Sequence, residues 1–444
     1  MSARSTAAVA CLAIVTALSP FRPAAAETNP VTPGDFKGYG FDQCLAPTQK
    51  AMDVWLNQSP FLSVGIYISG NSRACRSQPN LTPKWIATQL RKGWRLLPIT
   101  LGPQASCSDR YPKYDDDPVI DGRPGRDGNY PYARRMARAE AQKAVTAAQA
   151  LGIVERSTLW YDIEAFDDSN TRCRESALAF LSAWTNKLHD LDYISGVYSS
   201  AGSGIAVLDD ARVERPDAYT MPDMVWIARW DGIANTSTPY IRDDGWVPGG
   251  RVKQYEGGHN ETWGGVTINI DRNFLDVGQG RVAAPEEHCG GANLDFSRFP
   301  ALRPAADGYT PAANKVKALQ CVLQERSAYD GPLTGRYNAA TIAAVAAWQA
   351  DRGFPVSTTW SPANWVAAFA QGMDYAQKVG STGFHVRRVQ RALNAADPTL
   401  QRTVDGIYSR QTAKDVRAYQ NRSGLTATGI VNPATWAKLR AGRV

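Results

Sequence analysis

Residues 159–166 read "LWYDIEAF". Leu159, Trp160, Tyr161 and Ile163 are apolar or aromatic, yet two carboxylates, Asp162 and Glu164, stand one residue apart among them. Strand side chains alternate, so both acids fall on one side, about 6.6 Å apart along the backbone. The polar run "DDSN" that follows marks the strand's C-terminal end. The two acids therefore sit at a strand tip and face either solvent or a ligand.

Similar runs recur on both sides of this one. They are "YGFDQC" (39–44), "VGIYIS" (64–69), "RLLPIT" (95–100), "YISGVYS" (193–199), "MVWIARW" (224–230), "VKQYEG" (252–257) and "TINIDRN" (267–273). Helical patterns lie between them, as at 82–93, 133–152 and 176–191. Thr82-Pro83 reads as an N-cap with Pro at the first helical position, and Gly93 and Gly152 as stops. Eight β/α alternations predict an α/β fold, a closed TIM-like (β/α)₈ barrel over residues 36–278. An open doubly wound sheet is disfavoured because no Gly-rich phosphate turn follows the first strand.

In such a barrel the C-terminal strand tips converge on one mouth. Asp42 on the first strand, Gln254 on the seventh and Asp271 on the eighth would join Asp162 and Glu164 there. Tyr67, Tyr198, Trp226 and Trp230 are the aromatic candidates for sugar contact, since flat rings suit sugar faces. Glycosidic cleavage needs one carboxyl group to protonate the leaving oxygen and a second to attack or stabilise the developing cation. A Glu in a partly apolar cleft beside another carboxylate retains its proton, which suits Glu164 as the acid. Each residue alone is more often structural; their convergence is the signal.

The rest of the chain sets the context. At 444 residues it is too long for one ordinary core. Residues 1–26 read as an export signal: Arg4, the apolar run "AAVACLAIVTAL" and the small-residue site Ala24–Ala26. That run is too short to span a membrane. Beyond Cys11 six cysteines remain, Cys44, Cys75, Cys107, Cys173, Cys289 and Cys321, an even set that in an exported protein favours disulfides with 15 possible pairings. With no CxxC and four scattered His, neither a metal nor any other cofactor is expected.

Residues 277–313 are rich in Pro, Gly and Ala, and 279–312 is the expected linker. Beyond it "GRYNAATIAAVAAWQADRGF" (335–354) aligns with "GIYSRQTAKDVRAYQNRSGL" (406–425) at a shift of 71. Thr341 meets Thr412, Gln349 meets Gln420, Gly353 meets Gly424 and Trp365 meets Trp436. Two three-helix all-α units are predicted, at 313–372 and 381–444. From residue 311 onward 17 Lys+Arg face 7 Asp+Glu, whereas residues 27–310 are net acidic. A basic tail fits a polyanionic cell envelope better than nucleic acid in an exported protein.

Over 36–278 the sequence resembles the glycoside-hydrolase-like domain of unknown function 1906. The resemblance rests on "GFDQCLAP", "VGIYISG", "LTPKWI", "GWRLLPITLGPQ", "YDIE", "SGVYSS" and "IDRNFLD". That domain is similar to the family-25 lysozymes. By that similarity Glu164 would be the general acid, Asp162 would assist or orient an N-acetyl group, and Asp42 and Asp271 would line the sugar subsite. The second strand carries no acid, and the loop at 103–130 is long, both departures from the lysozymes. The C-terminal units resemble three-helix peptidoglycan-binding domains. The second is the nearer match; the first has Thr334 in place of the acid before Gly335. Together these imply a secreted, wall-bound, monomeric muramidase-like hydrolase with peptidoglycan as partner. The alternative is a barrel that binds glycan without cutting it. An amidase or peptidase lacks an activated nucleophile or metal cluster.

Overall fold

The computed structural model describes residues 28–444; the expected export signal at 1–26 lies outside the described residues. Eight strands close a barrel in sequence order: β1 (Phe36–Asp42), β2 (Ser63–Ser69), β3 (Arg95–Thr100), β4 (Thr158–Asp162), β5 (Ile194–Ser200), β6 (Met224–Ala228), β7 (Gly250–Trp263) and β8 (Val266–Val277). Crossover helices α1 (Gln49–Gln58), α2 (Pro83–Arg91), α3 (Pro131–Ala150), α4 (Thr171–His189) and α5 (Ala206–Glu214) follow the first five strands. The expected N-cap forms: the Thr82 hydroxyl accepts from Trp85 N, with Pro83 in the first turn.

The last third of the barrel departs from strict alternation. No helix separates β6 from β7, and β7 and β8 form a hairpin, so β8 runs antiparallel to both β7 and β1. The cause is local. The Gly264-Gly265 turn takes φ of +55° and +77°, the left-handed pair that a two-residue hairpin requires. Because β8 runs from the mouth downward, its early residue Asp271 pairs with Asp42 at the end of β1.

Inside the barrel, Trp160 and Trp226 meet edge to face at 5.5 Å and fill the layer below the mouth. Glycines make that possible: a Cβ on Gly196 would lie 2.3 Å from the Trp160 ring, and one on Gly65 3.2 Å from Trp226 and 2.5 Å from the Asp42 Cβ. Outside the barrel, Phe41 packs against Trp55, Phe61 and Trp94.

The C-terminal region folds as α6 (Ala313–Glu325), α7 (Ala339–Asp351) and α8 (Pro362–Phe369), then α9 (Phe384–Ala396), α10 (Arg410–Arg422) and α11 (Pro433–Arg440). The repeated glutamines clamp turns. Gln320 and Gln390 accept from Gly335 N (3.0 Å) and Gly406 N (2.9 Å). Thr334 replaces Asp405 without loss of the contact, since each accepts from its own glutamine amide (3.1 and 2.7 Å). Both repeats share one hydrophobic cluster, which also takes in Leu294, Phe299 and Leu302. The segment expected as a linker is thus partly a packed strap, stapled by Cys289–Cys321 and by Arg391 Nη2 to Asp295 Oδ1 (2.6 Å).

Lacking crossover helices around β7 and β8, the barrel leaves Tyr39 and Phe274 for the C-terminal region to cover. The Arg410 guanidinium lies 5.7 Å and 5.4 Å from their ring centres. Lys378 inserts between the two bodies and donates to Ser59 O (2.7 Å) and Phe61 O (3.1 Å) just beyond the end of α1; burial with no carboxylate partner among the described residues pushes its amine well below the usual lysine range.

Candidate active site

The mouth of the barrel holds a hollow of about 240 Å³ lined by Asp42, Tyr67, Asp162, Glu164 and Asp271, together with Arg73, Tyr111 and the Cys44–Cys75 disulfide. Five of the sequence-predicted residues therefore share one cavity. Asp162 ends β4, and Glu164 lies two residues on, after the fully buried Ile163. Gln104 holds this tip in place: its amide donates to Asp162 O and accepts from Glu164 N, both at 2.8 Å. Gln104 sits in the loop after β3, which the Cys107–Cys173 disulfide ties to α4.

A polar layer lies beneath. Asn273 Nδ2 donates to Asp42 Oδ1 (2.6 Å), and Gln254 Nε2 donates to the same oxygen (3.2 Å). Gln254 accepts from Tyr198 OH (3.0 Å) and from Trp230 Nε1 (2.9 Å), and Asn273 accepts from Trp226 Nε1 (2.8 Å). Gln254 and Trp226, expected to contact substrate, are 2% and 1% exposed and face Asp42 and Asn273 beneath the hollow. Trp226 points inward from β6 into space that Gly65 leaves open, so it carries the floor of the site. Tyr198 is likewise outside the lining of the hollow. Trp230 differs: it is 62% exposed at the rim, over Gly257, and its ring face remains free.

All four carboxyl groups hold protons more tightly than usual. Burial is the largest cause in each case. Asp42 is pushed up strongly, with Asp271 adding to the effect, and Asp162 strongly, with Glu164 adding. Asp271 rises to about 6. Glu164 rises too, although Arg110 and Lys113 pull it back; Arg110 Nη1 lies 3.4 Å from Glu164 Oε2. Tyr67 OH donates to Asp162 Oδ2 (3.2 Å), while Asp162 Oδ1 is buried with no partner among the described residues. A buried carboxyl oxygen without a partner is a place for a proton. The arrangement can deliver a proton at the rim and counter positive charge below it.

Sequence reasoning missed Gln104, Tyr111, Asn273 and Arg73. Three of these lie in loops, and Asn273 is one more polar residue in an alternating strand.

The model of the Rv2525c-like, glycoside hydrolase-like domain matches residues 53–275, half of the chain. The chain belongs to this Rv2525c-like family. A second model, the putative peptidoglycan binding domain, matches twice, at 312–366 and 382–439. Among curated proteins none matches. Among solved structures, an uncharacterized B. stearothermophilus protein is 18% identical over 54% of this chain and 95% of its own, with a TM-score of 0.35. The Mycobacterium tuberculosis Tat-secreted protein Rv2525c, in complex with L-tartrate, is 13% identical over 55% and 97%, with a TM-score of 0.37. The modular autolysin LytC of Streptococcus pneumoniae is 12% identical over 53% and 46%, with a TM-score of 0.33. A glycoside hydrolase-like barrel joined to two peptidoglycan-binding domains gives this chain a function related to cell-wall glycan. No helix among the described residues is long and apolar enough to cross a membrane.

Proposed function

We propose that the protein is an exported glycoside hydrolase that cuts β-1,4 bonds of peptidoglycan-type glycan while its C-terminal domains hold the polymer. The observation that carries the reading is the set of four carboxyl groups, all raised in proton affinity, gathered on one hollow with aromatic rings at its wall and rim. Glu164, at the rim, is the general acid that protonates the leaving oxygen. Asp162, one layer deeper and with a free oxygen, orients the N-acetyl group or stabilises the developing cation. Asp42 and Asp271 form the subsite floor, and Trp230 stacks on an adjoining sugar.

The test is release of reducing ends from purified wall by the wild type and by Glu164→Gln. The reading requires release by the first and loss by the second. One observation favours a binding-only barrel instead: Arg110 beside Glu164 stabilises the ionised carboxylate, which is the wrong form for an acid. Retention on wall with no release from either protein would select that second reading.

A further inference from the structure

We infer that Arg73 is an anion subsite of the hollow, placed to take a carboxylate carried by the glycan. The inference rests on the glycan reading above and deepens it, because it makes the substrate an acidic glycan and not a neutral one. Arg73 lies in the loop closed by Cys44–Cys75 and lines the hollow. Its guanidinium is held by backbone carbonyls alone: Nε donates to Gly70 O (2.7 Å) and Nη1 to Tyr67 O (3.3 Å).

Four acids line the same cavity, yet Arg73 forms an ion pair with none of them among the described residues. Its neighbours behave differently, with Arg76 paired to Asp116 and Asp117 and Arg110 to Glu164. Burial lowers the proton affinity of Arg73, and nearby Arg76 lowers it further, with no carboxylate offsetting either effect. A guanidinium stays charged in such a setting and presents a fork matched to carboxylate oxygens. It is rigidly held, half-buried and unpaired, so the missing counter-ion is one that a ligand brings.

On a wall glycan the carboxylate has two sources with one chemistry: an unsubstituted lactyl ether on the sugar, or an acidic residue of an attached peptide. Binding is measured by calorimetry in full-length Glu164→Gln, so that no turnover intervenes. The probes are a neutral β-1,4 N-acetylglucosamine oligomer, an equally long oligomer with free lactyl carboxylates, and the same oligomer bearing peptides. At least one acidic probe is expected to bind about tenfold more tightly than the neutral one, ~1.4 kcal/mol. Adding Arg73→Gln should bring that ratio to about one, and Arg73→Lys should keep part of it. The acidic probe that shows the effect names the source. An acidic-to-neutral ratio of one in the parent, or a ratio that Arg73→Gln leaves unchanged, overturns the subsite. An unfolding midpoint matching the parent identifies folded variants, and Arg73→Lys decides if Arg73→Gln does not fold. The two proposals fail separately: no reducing-end release by the wild type, with Arg73-dependent preference intact, ends the hydrolase reading and keeps the subsite.

Discussion

Asp271→Asn isolates the strain stored in the acidic hollow. Asp271 pairs with Asp42 across β1 and β8, and its proton affinity rises from the usual 3.8 to about 6. A carboxyl raised in this way binds its proton more tightly folded than unfolded. It therefore costs no stability below about pH 4, the unfolded value, and its cost grows as pH rises toward 6 and is complete above it. Two pH units at 1.36 kcal/mol each put that cost at about 3 kcal/mol, an upper figure because Asp42 and Asp271 share their protons. An asparagine keeps the shape, and its carbonyl can still accept from a protonated Asp42, but it cannot ionise. The variant should therefore match the wild type at pH 4 and exceed it by about 1–3 kcal/mol at pH 8. Urea unfolding midpoints of both proteins at the two pH values provide the measurement, and the difference between the two differences is the quantity of interest. An equal or lower midpoint for Asp271→Asn at pH 8 would refute the claim that burial in the hollow penalises the ionised form of Asp271.

Three further outcomes follow from the same geometry. Glu164→Gln should lower reducing-end release by about 10²–10⁴-fold, the usual worth of a positioned acid, with wall retention unchanged; a smaller loss would move the acid role elsewhere. Activity of the wild type should fall as pH rises through the raised Glu164 value, because the acid form is then lost; a rate that keeps rising through that range in a pH–rate profile would contradict the assignment. Lys378→Met should lower the urea midpoint by about 2 kcal/mol, since two buried carbonyls lose their donor while the burial cost of the amine is removed with it; an unchanged midpoint would show that the two bodies do not depend on this contact.

The barrel was legible because its strands carry apolar bulk on both faces and tips with acids, a pattern that survives without any knowledge of partners. The direction of β8 was not read, although "WGGV" between two β-like runs is a hairpin signal. Alternation over the first five strands set the expectation of parallel pairing throughout. In the reversed strand Asp271 lies level with Asp42, across β1 and β8. In the strand expected at 267–273 Asp271 stood near the C-terminal end, so the sequence placed it at the mouth although it had the strand direction reversed. Asp42, Asp162 and Glu164 stood out as acids in apolar runs. Trp226 stood out equally and is core, since an inward aromatic and a ligand-facing one look alike in sequence. Arg73, Gln104 and Tyr111 depend on how two long loops are pinned, and disulfide pairing, open among 15 possibilities in sequence, decides that.

The linker expected at 279–312 implied repeats tethered loosely to the barrel, and the packing shows otherwise. Lys378 is 1% exposed between the barrel and the second repeat, and Phe36 of β1 packs against Gly380. The strap at 279–312 contributes Leu294, Phe299 and Leu302 to the core of the repeats, and Arg387 and Arg391 bind its Asp295. Together these contacts remove freedom that a tether would need. Polymer held by the repeats would therefore meet the mouth at a set offset, where a flexible linker would sample many. A cut made by such a body should fall at a preferred distance from the point of attachment, and lengthening the strap would not broaden that distance unless the Lys378 contact were also broken.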